Sequence, residues 1–94
     1  MKLRWTEGAI EDLQWAYDYL AAENVRAAGD IVDRSVSAVE RLEQFPQMGR
    51  SGRVEGTREL VITGTPFIVA YRLKRDAIQI LAVLHAARKW PKKF

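Results

Sequence analysis

A chain of 94 residues, 48% hydrophobic and 29% charged, has the size and composition of one globular domain with a single core, and no room for a second. It contains no cysteine, which excludes disulfides and thiolate metal sites, and no apolar run near the roughly 18 residues of a membrane span, so a soluble cytoplasmic protein is expected. The net charge of +3 hides an asymmetry: residues 1–47 hold 5 Lys/Arg against 9 Asp/Glu, while residues 48–94 hold 10 against 3, a net +7 that suits nucleic acid or an acidic protein.

Lys2 to Trp5 reads as a short strand, and Thr6 is a helix N-cap with Glu7 and Glu11 near the positive end of the dipole. Ile10, Leu13, Tyr17 and Leu20, with Ala9 and Ala16 beside them, form the apolar stripe of an amphipathic helix, leaving Glu11, Asp12 and Asp18 on the wet side. Asn24 caps a second helix, whose Ala28, Val32, Val36, Val39 and Leu42 repeat the spacing until Phe45-Pro46 ends it. So short a connection makes the pair antiparallel, and its joint apolar surface needs a sheet as cover.

The segment from Phe45 to Gly56 carries three glycines, a proline and two arginines, Arg50 and Arg53, and reads as an exposed basic loop. Three β-rich runs follow, Arg58 to Ile62, Pro66 to Leu73 and Ala77 to Leu84, separated by turns short enough for antiparallel hairpins. In the last run, strict alternation puts Ile78, Ile80, Ala82 and Leu84 on one face and Gln79, Leu81, Val83 and His85 on the other. Both faces are largely apolar, which predicts a central strand with the helices on one side and a further cover, such as a partner segment, on the other. The predicted order is β-α-α-β-β-β, an α+β domain over residues 1–94 in which a helical hairpin packs on a small twisted antiparallel sheet.

One histidine, no phosphate-binding glycine loop before a helix and no paired acids on the strands point away from metal and nucleotide chemistry, so neither cofactor nor metal is expected. What remains is a set of cations, aromatics and one imidazole: Arg50 and Arg53 on the loop, Arg58, Tyr71 and Arg72 on strands, and His85, Arg88, Lys89 and Trp90 at the end. Each has an ordinary structural reading beside a functional one. His85 could be a general acid or base, or an imidazole bonded to local backbone. Arg58 and Arg72 could clamp phosphate or pair with Glu55, Glu59 or Asp76. Tyr71 reads as core, and Trp90 either staples the tail to the domain or anchors a partner.

The runs Gly56-Thr57-Arg58-Glu59-Leu60-Val61, Thr65 to Arg72, and Ile80 to Pro91 ending in His85-Ala86-Ala87-Arg88-Lys89-Trp90-Pro91, resemble the RelE/ParE toxin superfamily, as do Trp5-Thr6 with Ala9 and Asp12-Leu13 and the Phe45-Pro46…Gly49-Arg50 loop. The resemblance covers nearly the whole chain. It implies a helical hairpin on a twisted antiparallel sheet, and a toxin neutralised by a cognate antitoxin in a hetero-oligomer, with the acidic antitoxin shielding the basic half.

Two targets are open within that superfamily. Nuclease members cut ribosome-bound mRNA with basic residues on adjacent strands; here Arg58 fills one such position, while a second falls at Leu60 and a third at Ile68. On that reading Arg58, Arg72, His85 and Arg88 are the catalytic candidates. Losing two charge-stabilising groups costs a factor of about 10²–10³ each, which favours the other target, DNA gyrase. Arg50, Arg53, His85, Arg88, Lys89 and Trp90 are then the target-binding candidates. An inactive member kept as a binding module is a third reading.

Overall fold

The computed structural model describes residues 1–94. Strand β1 (Lys2–Trp5) leads into helix α1 (Glu7–Ala21), and α2 (Val25–Glu40) runs into a 3-10 turn over Arg41–Glu43. Strands β2 (Arg50–Ser51), β3 (Arg58–Val61), β4 (Phe67–Lys74) and β5 (Ala77–His85) complete a five-stranded sheet in the order β1-β5-β4-β3-β2. No helix is long and apolar enough to cross a membrane.

Strands β3 to β5 form the expected antiparallel meander, and β2, inside the segment read as a loop, adds a further antiparallel strand at its edge. β1 joins β5 in parallel, so the sheet is mixed, and the long connection between the two runs through the helical hairpin and then strands β2 to β4. Thr6 makes the junction: its backbone N–H and hydroxyl both donate to the Ile80 carbonyl, at 3.1 and 2.8 Å, while its Oγ1 accepts from Ala9 N–H at 3.2 Å and starts α1. Asn24 caps α2 in the same way, Oδ1 accepting from Ala27 N–H at 3.0 Å.

α1 lies on β5, and α2 packs along α1. The contact with the sheet is made by small residues: Ala9 and Ala16 are buried, Leu13, Tyr17 and Leu20 only half-buried, and Ile10 is 54% exposed. Ile10, assigned by its spacing to the buried stripe, instead flanks a shallow groove with Leu13, Tyr17 and Val32. Close approach through alanines brings the helix axis down onto the strand and rolls its larger side chains to the flanks. The core is completed by Leu60, Ile62, Phe67, Val69, Tyr71, Ile78, Ile80 and Val83 with Val39 and Leu42.

Strict alternation along β5 fails at one residue. Tyr71 pairs with Ile80 and Ala70 with Ala82, so Leu81 has no partner and forms a β-bulge. The extra residue reverses the facing beyond it: Val83 joins Ile78 and Ile80 in the core, where alternation had placed Ala82 and Leu84. The opposite face is apolar, as expected, with Ile68, Ala70 and Ala82 all buried. On that side the chain's own loop is held by Glu59, and Trp90 lies against Arg53.

The basic loop is more ordered than its composition suggests. Tyr71, fully buried, donates from its hydroxyl to Pro46 O at 2.9 Å and accepts from Gly49 N–H at 2.8 Å. Its cross-strand neighbour Arg58 donates to Gly49 O at 2.7 Å and Gln47 O at 3.3 Å. Burial raises the tyrosine's pKa, against the opposing effects of Gly49 N–H and the Arg58 charge, so it remains a donor. Gly49 is required here, because a Cβ would come within 2.6 Å of the Tyr71 hydroxyl.

Glu59 holds the next stretch. Its carboxylate, 3% exposed, accepts from Arg50 Nη2 at 3.0 Å and from Arg53 backbone N–H at 2.8 Å, with Arg53 Nε at 3.4 Å. Burial alone would raise its pKa; the Arg53 N–H, the Arg50 hydrogen bond and the two guanidinium charges outweigh it and leave the carboxyl below its ordinary value.

Two outcomes are expected. Tyr71→Phe leaves Gly49 N–H and Pro46 O without their partner and should cost about 2 kcal/mol in urea unfolding, without a change in slope. A group whose folded pKa is depressed stabilises the fold above its unfolded value of about 4.5 and loses that contribution as pH falls through the folded value. The stability gap between wild type and Glu59→Gln, measured by urea titration from pH 7 to pH 3, should therefore stay constant down to about pH 4.5 and close below it.

Candidate functional site

Beyond Ile80, β5 has outrun β1, and one of its edges lacks a neighbouring strand. The Val83 N–H on that edge donates to Asp12 Oδ2 at 3.0 Å. Asp12, assigned by spacing to the wet side of α1, is half-buried. Burial raises its pKa, the Val83 N–H acts against this, and the Glu11 charge adds to it, leaving the carboxyl above its ordinary range.

His85 closes the strand and opens a tight turn. Its Nδ1 accepts from Ala87 N–H at 3.1 Å, its carbonyl accepts from Arg88 N–H at 3.0 Å, and its ring meets Phe67 edge-on at 5.8 Å. This is the local backbone role set beside the catalytic one; with Nδ1 accepting, a neutral ring carries its proton on Nε2.

The turn delivers the tail onto two aromatic groups. Trp15 and Tyr19, one helical turn apart on α1, stack at 5.2 Å and 15°, and the Arg88 guanidinium sits 4.6 Å from the indole centroid and 5.9 Å from the phenol. Trp15 is 48% exposed and Tyr19 58%. Lys89 lines the small hollow between Trp15, Phe67 and His85. Trp90 donates from Nε1 to His85 O at 3.3 Å and lies 3.7 Å beneath the Arg53 guanidinium, so it staples the tail to the basic loop.

Of the residues singled out in the sequence, Arg53, His85, Arg88, Lys89 and Trp90 thus come together at one end of the sheet, joined to Arg50 through Glu59. The four catalytic candidates do not converge. Arg72 donates from Nε to Gln79 at 2.7 Å, six residues from His85 along β5, about 20 Å of strand. Arg58 is occupied with loop carbonyls, and neither it nor Arg72 pairs with Glu55, Glu59 or Asp76. Leu60 and Ile68, which the resemblance set against cationic positions of nuclease members, are buried.

Three features escaped the sequence reading. The Trp15–Tyr19 pair carried a usable signal, two aromatics at i and i+4. Asp12 belonged to the family pattern, but nothing in the sequence pointed to its bond, because its partner is a strand edge 71 residues away. Lys2 and Arg4 carried no signal, because their neighbours depend on the parallel pairing.

Residues 3–90 match the family described as ParE toxin of type II toxin-antitoxin system, parDE. The chain is 40% identical over 90 residues to Y4kP of Sinorhizobium fredii, named as a candidate toxin, with 96% of this chain and 93% of that protein covered. It is 31% identical over 84 residues to toxin RelE2 of Caulobacter vibrioides, with 89% and 93% covered. A solved structure from a chromosomal ParDE toxin–antitoxin system of P. aeruginosa superposes with a TM-score of 0.82 at 34% identity, covering 90% of this chain and 95% of that one. The chain therefore belongs to the ParE toxin family, the toxin component of a type II toxin–antitoxin system, a class that implies a cognate antitoxin as partner.

Proposed function

We propose that this toxin stops growth by binding and poisoning DNA gyrase, and that the surface carrying Arg88, Lys89 and Trp90 beside Trp15 and Tyr19 makes the contact. The observation that carries this reading is the pair of stacked, half-exposed aromatic rings under an arginine. Protein-binding hot spots are built from Trp, Tyr and Arg, because large rigid rings supply apolar area at little entropic cost and a guanidinium adds directional donors. Poisoning by binding also needs no converging catalytic set.

Arg50 and Arg53 contribute from the loop, and His85 contributes by shaping the turn that presents Arg88. The scatter of Arg58, Arg72 and His85 along the sheet supports this reading over mRNA cleavage, as does the burial of Leu60 and Ile68.

Purified gyrase should lose supercoiling activity when titrated with the toxin, and Trp15→Ala or Arg88→Ala should raise the toxin concentration needed by about 30-fold, the effect of a ~2 kcal/mol hot spot. An unimpaired supercoiling rate at excess toxin rejects the proposal. Cleavage of mRNA in a translating extract that disappears in His85→Ala would replace it with the nuclease reading.

A further inference from the structure

A second cationic region lies at the other end of the sheet and plays no part in the surface just described. Register sets it out in two rows across three strands. Arg4 and Arg72 flank Gln79 from either side, and Lys2 and Lys74 flank Ala77. Side chains directly opposite in a sheet share a face, so the four cations occupy a patch about 10 Å across the strands and about 7 Å along them. Arg75, in the β4–β5 turn, adds a fifth beside an open cleft of about 630 Å³. None of the five belongs to an ion pair, since both salt bridges of the protein go to Glu59. Asp76 is the single acid lining the cleft.

Arg75 is the informative member. It is the one non-glycine residue with positive φ, 58°, in a turn where glycine or asparagine would be relaxed. A strained backbone that displays a charge marks a position where the side chain matters more than local stability.

We propose that this face binds the phosphodiester backbone of duplex DNA. The composition of the cleft selects the partner. An acidic protein segment that docks stably brings apolar anchors and needs somewhere to bury them, whereas Ala77 is the sole hydrophobic residue among the seven that line this cleft. A nucleic-acid backbone asks only for cations and donors. Five cations in so small a patch demand closely spaced phosphates, and a duplex, with one charge per about 1.7 Å of axis, supplies them more densely than a single strand. Arg4 and Arg72 bring planar forks suited to phosphate oxygens. This goes beyond gyrase poisoning and does not rest on it, because the contact requires neither gyrase nor an antitoxin.

The test is fluorescence anisotropy of a labelled 20-base-pair duplex titrated with the purified chain between 50 and 200 mM NaCl, without gyrase. The logarithm of affinity should fall with the logarithm of salt at a slope of about −4.5, as five neutralised phosphates require. Lys2→Gln, Arg4→Gln and Lys74→Gln together should reduce that slope to about −2 and weaken binding at 50 mM salt by at least about tenfold. Arg75→Gly separates function from folding: it should reduce the slope by about 1 while leaving the thermal midpoint unchanged or raised. Arg26→Gln with Arg41→Gln, on and just beyond α2, should leave the slope unaltered. The proposal is overturned if the triple variant keeps the wild-type slope, or if single-stranded RNA or a poly-glutamate peptide of equal charge binds as tightly as the duplex at the same salt.

Discussion

The loop between the helices and the β3–β5 meander depends on a buried phenol and its arginine neighbour. A stretch rich in glycine, with few apolar side chains, has little hydrophobic reason to adopt one conformation, and its freedom opposes order. Tyr71 and Arg58 answer with directional bonds to Pro46, Gln47 and Gly49, three residues of that stretch. Once residues 46–49 are fixed, Arg50 falls opposite Glu59, β2 can pair, and Arg53 arrives where its guanidinium covers Trp90. The position of the C-terminal tail is thus set in part by a hydroxyl at the centre of the sheet.

The two ends of the sheet carry positive charge in different company. Around Arg88 and Trp90 the cations lie on aromatic rings and are partly desolvated, which suits a partner with apolar surface. Around Arg4 and Lys74 they flank only Gln79 and Ala77, with no cation–aromatic contact, which suits a partner that is charge and little else. The separation follows from topology: both ends are built on β5, one at Ala77 and one at His85, with the length of the strand between them.

Much of this was legible in the chain itself. The caps Thr6 and Asn24, the helix periods, the short turns and the family likeness of the strands and tail all rest on local pattern, and local pattern carried the α+β architecture. The departures have non-local causes. Parallel pairing of β1 cannot be read from four residues, so the cations of the first half, Lys2 and Arg4, could not be joined to those of the second. The bulge at Leu81 has no residue signature, yet it reversed the facing of Ala82 and Val83. Ile10 and Asp12 exchanged their expected environments because alanines, rather than the largest apolar residues, meet the strand. Among the site candidates, Arg88, Lys89 and Trp90 gathered because they are neighbours in sequence, while Arg58 and Arg72 were claimed by partners that only the folded sheet could bring to them.

The junction between Thr6 and Ile80 has a temporal side. The first strand and the first helix both dock on the last strand, through hydrogen bonds spanning 74 and 71 residues. Contacts so distant form only after the intervening chain exists, so during synthesis the N-terminal third must wait, undocked, until the final strand leaves the ribosome. The fold, and with it every surface described above, waits on the strand Ala77–His85, and a cell making this protein meets neither end of the finished sheet before that strand has emerged.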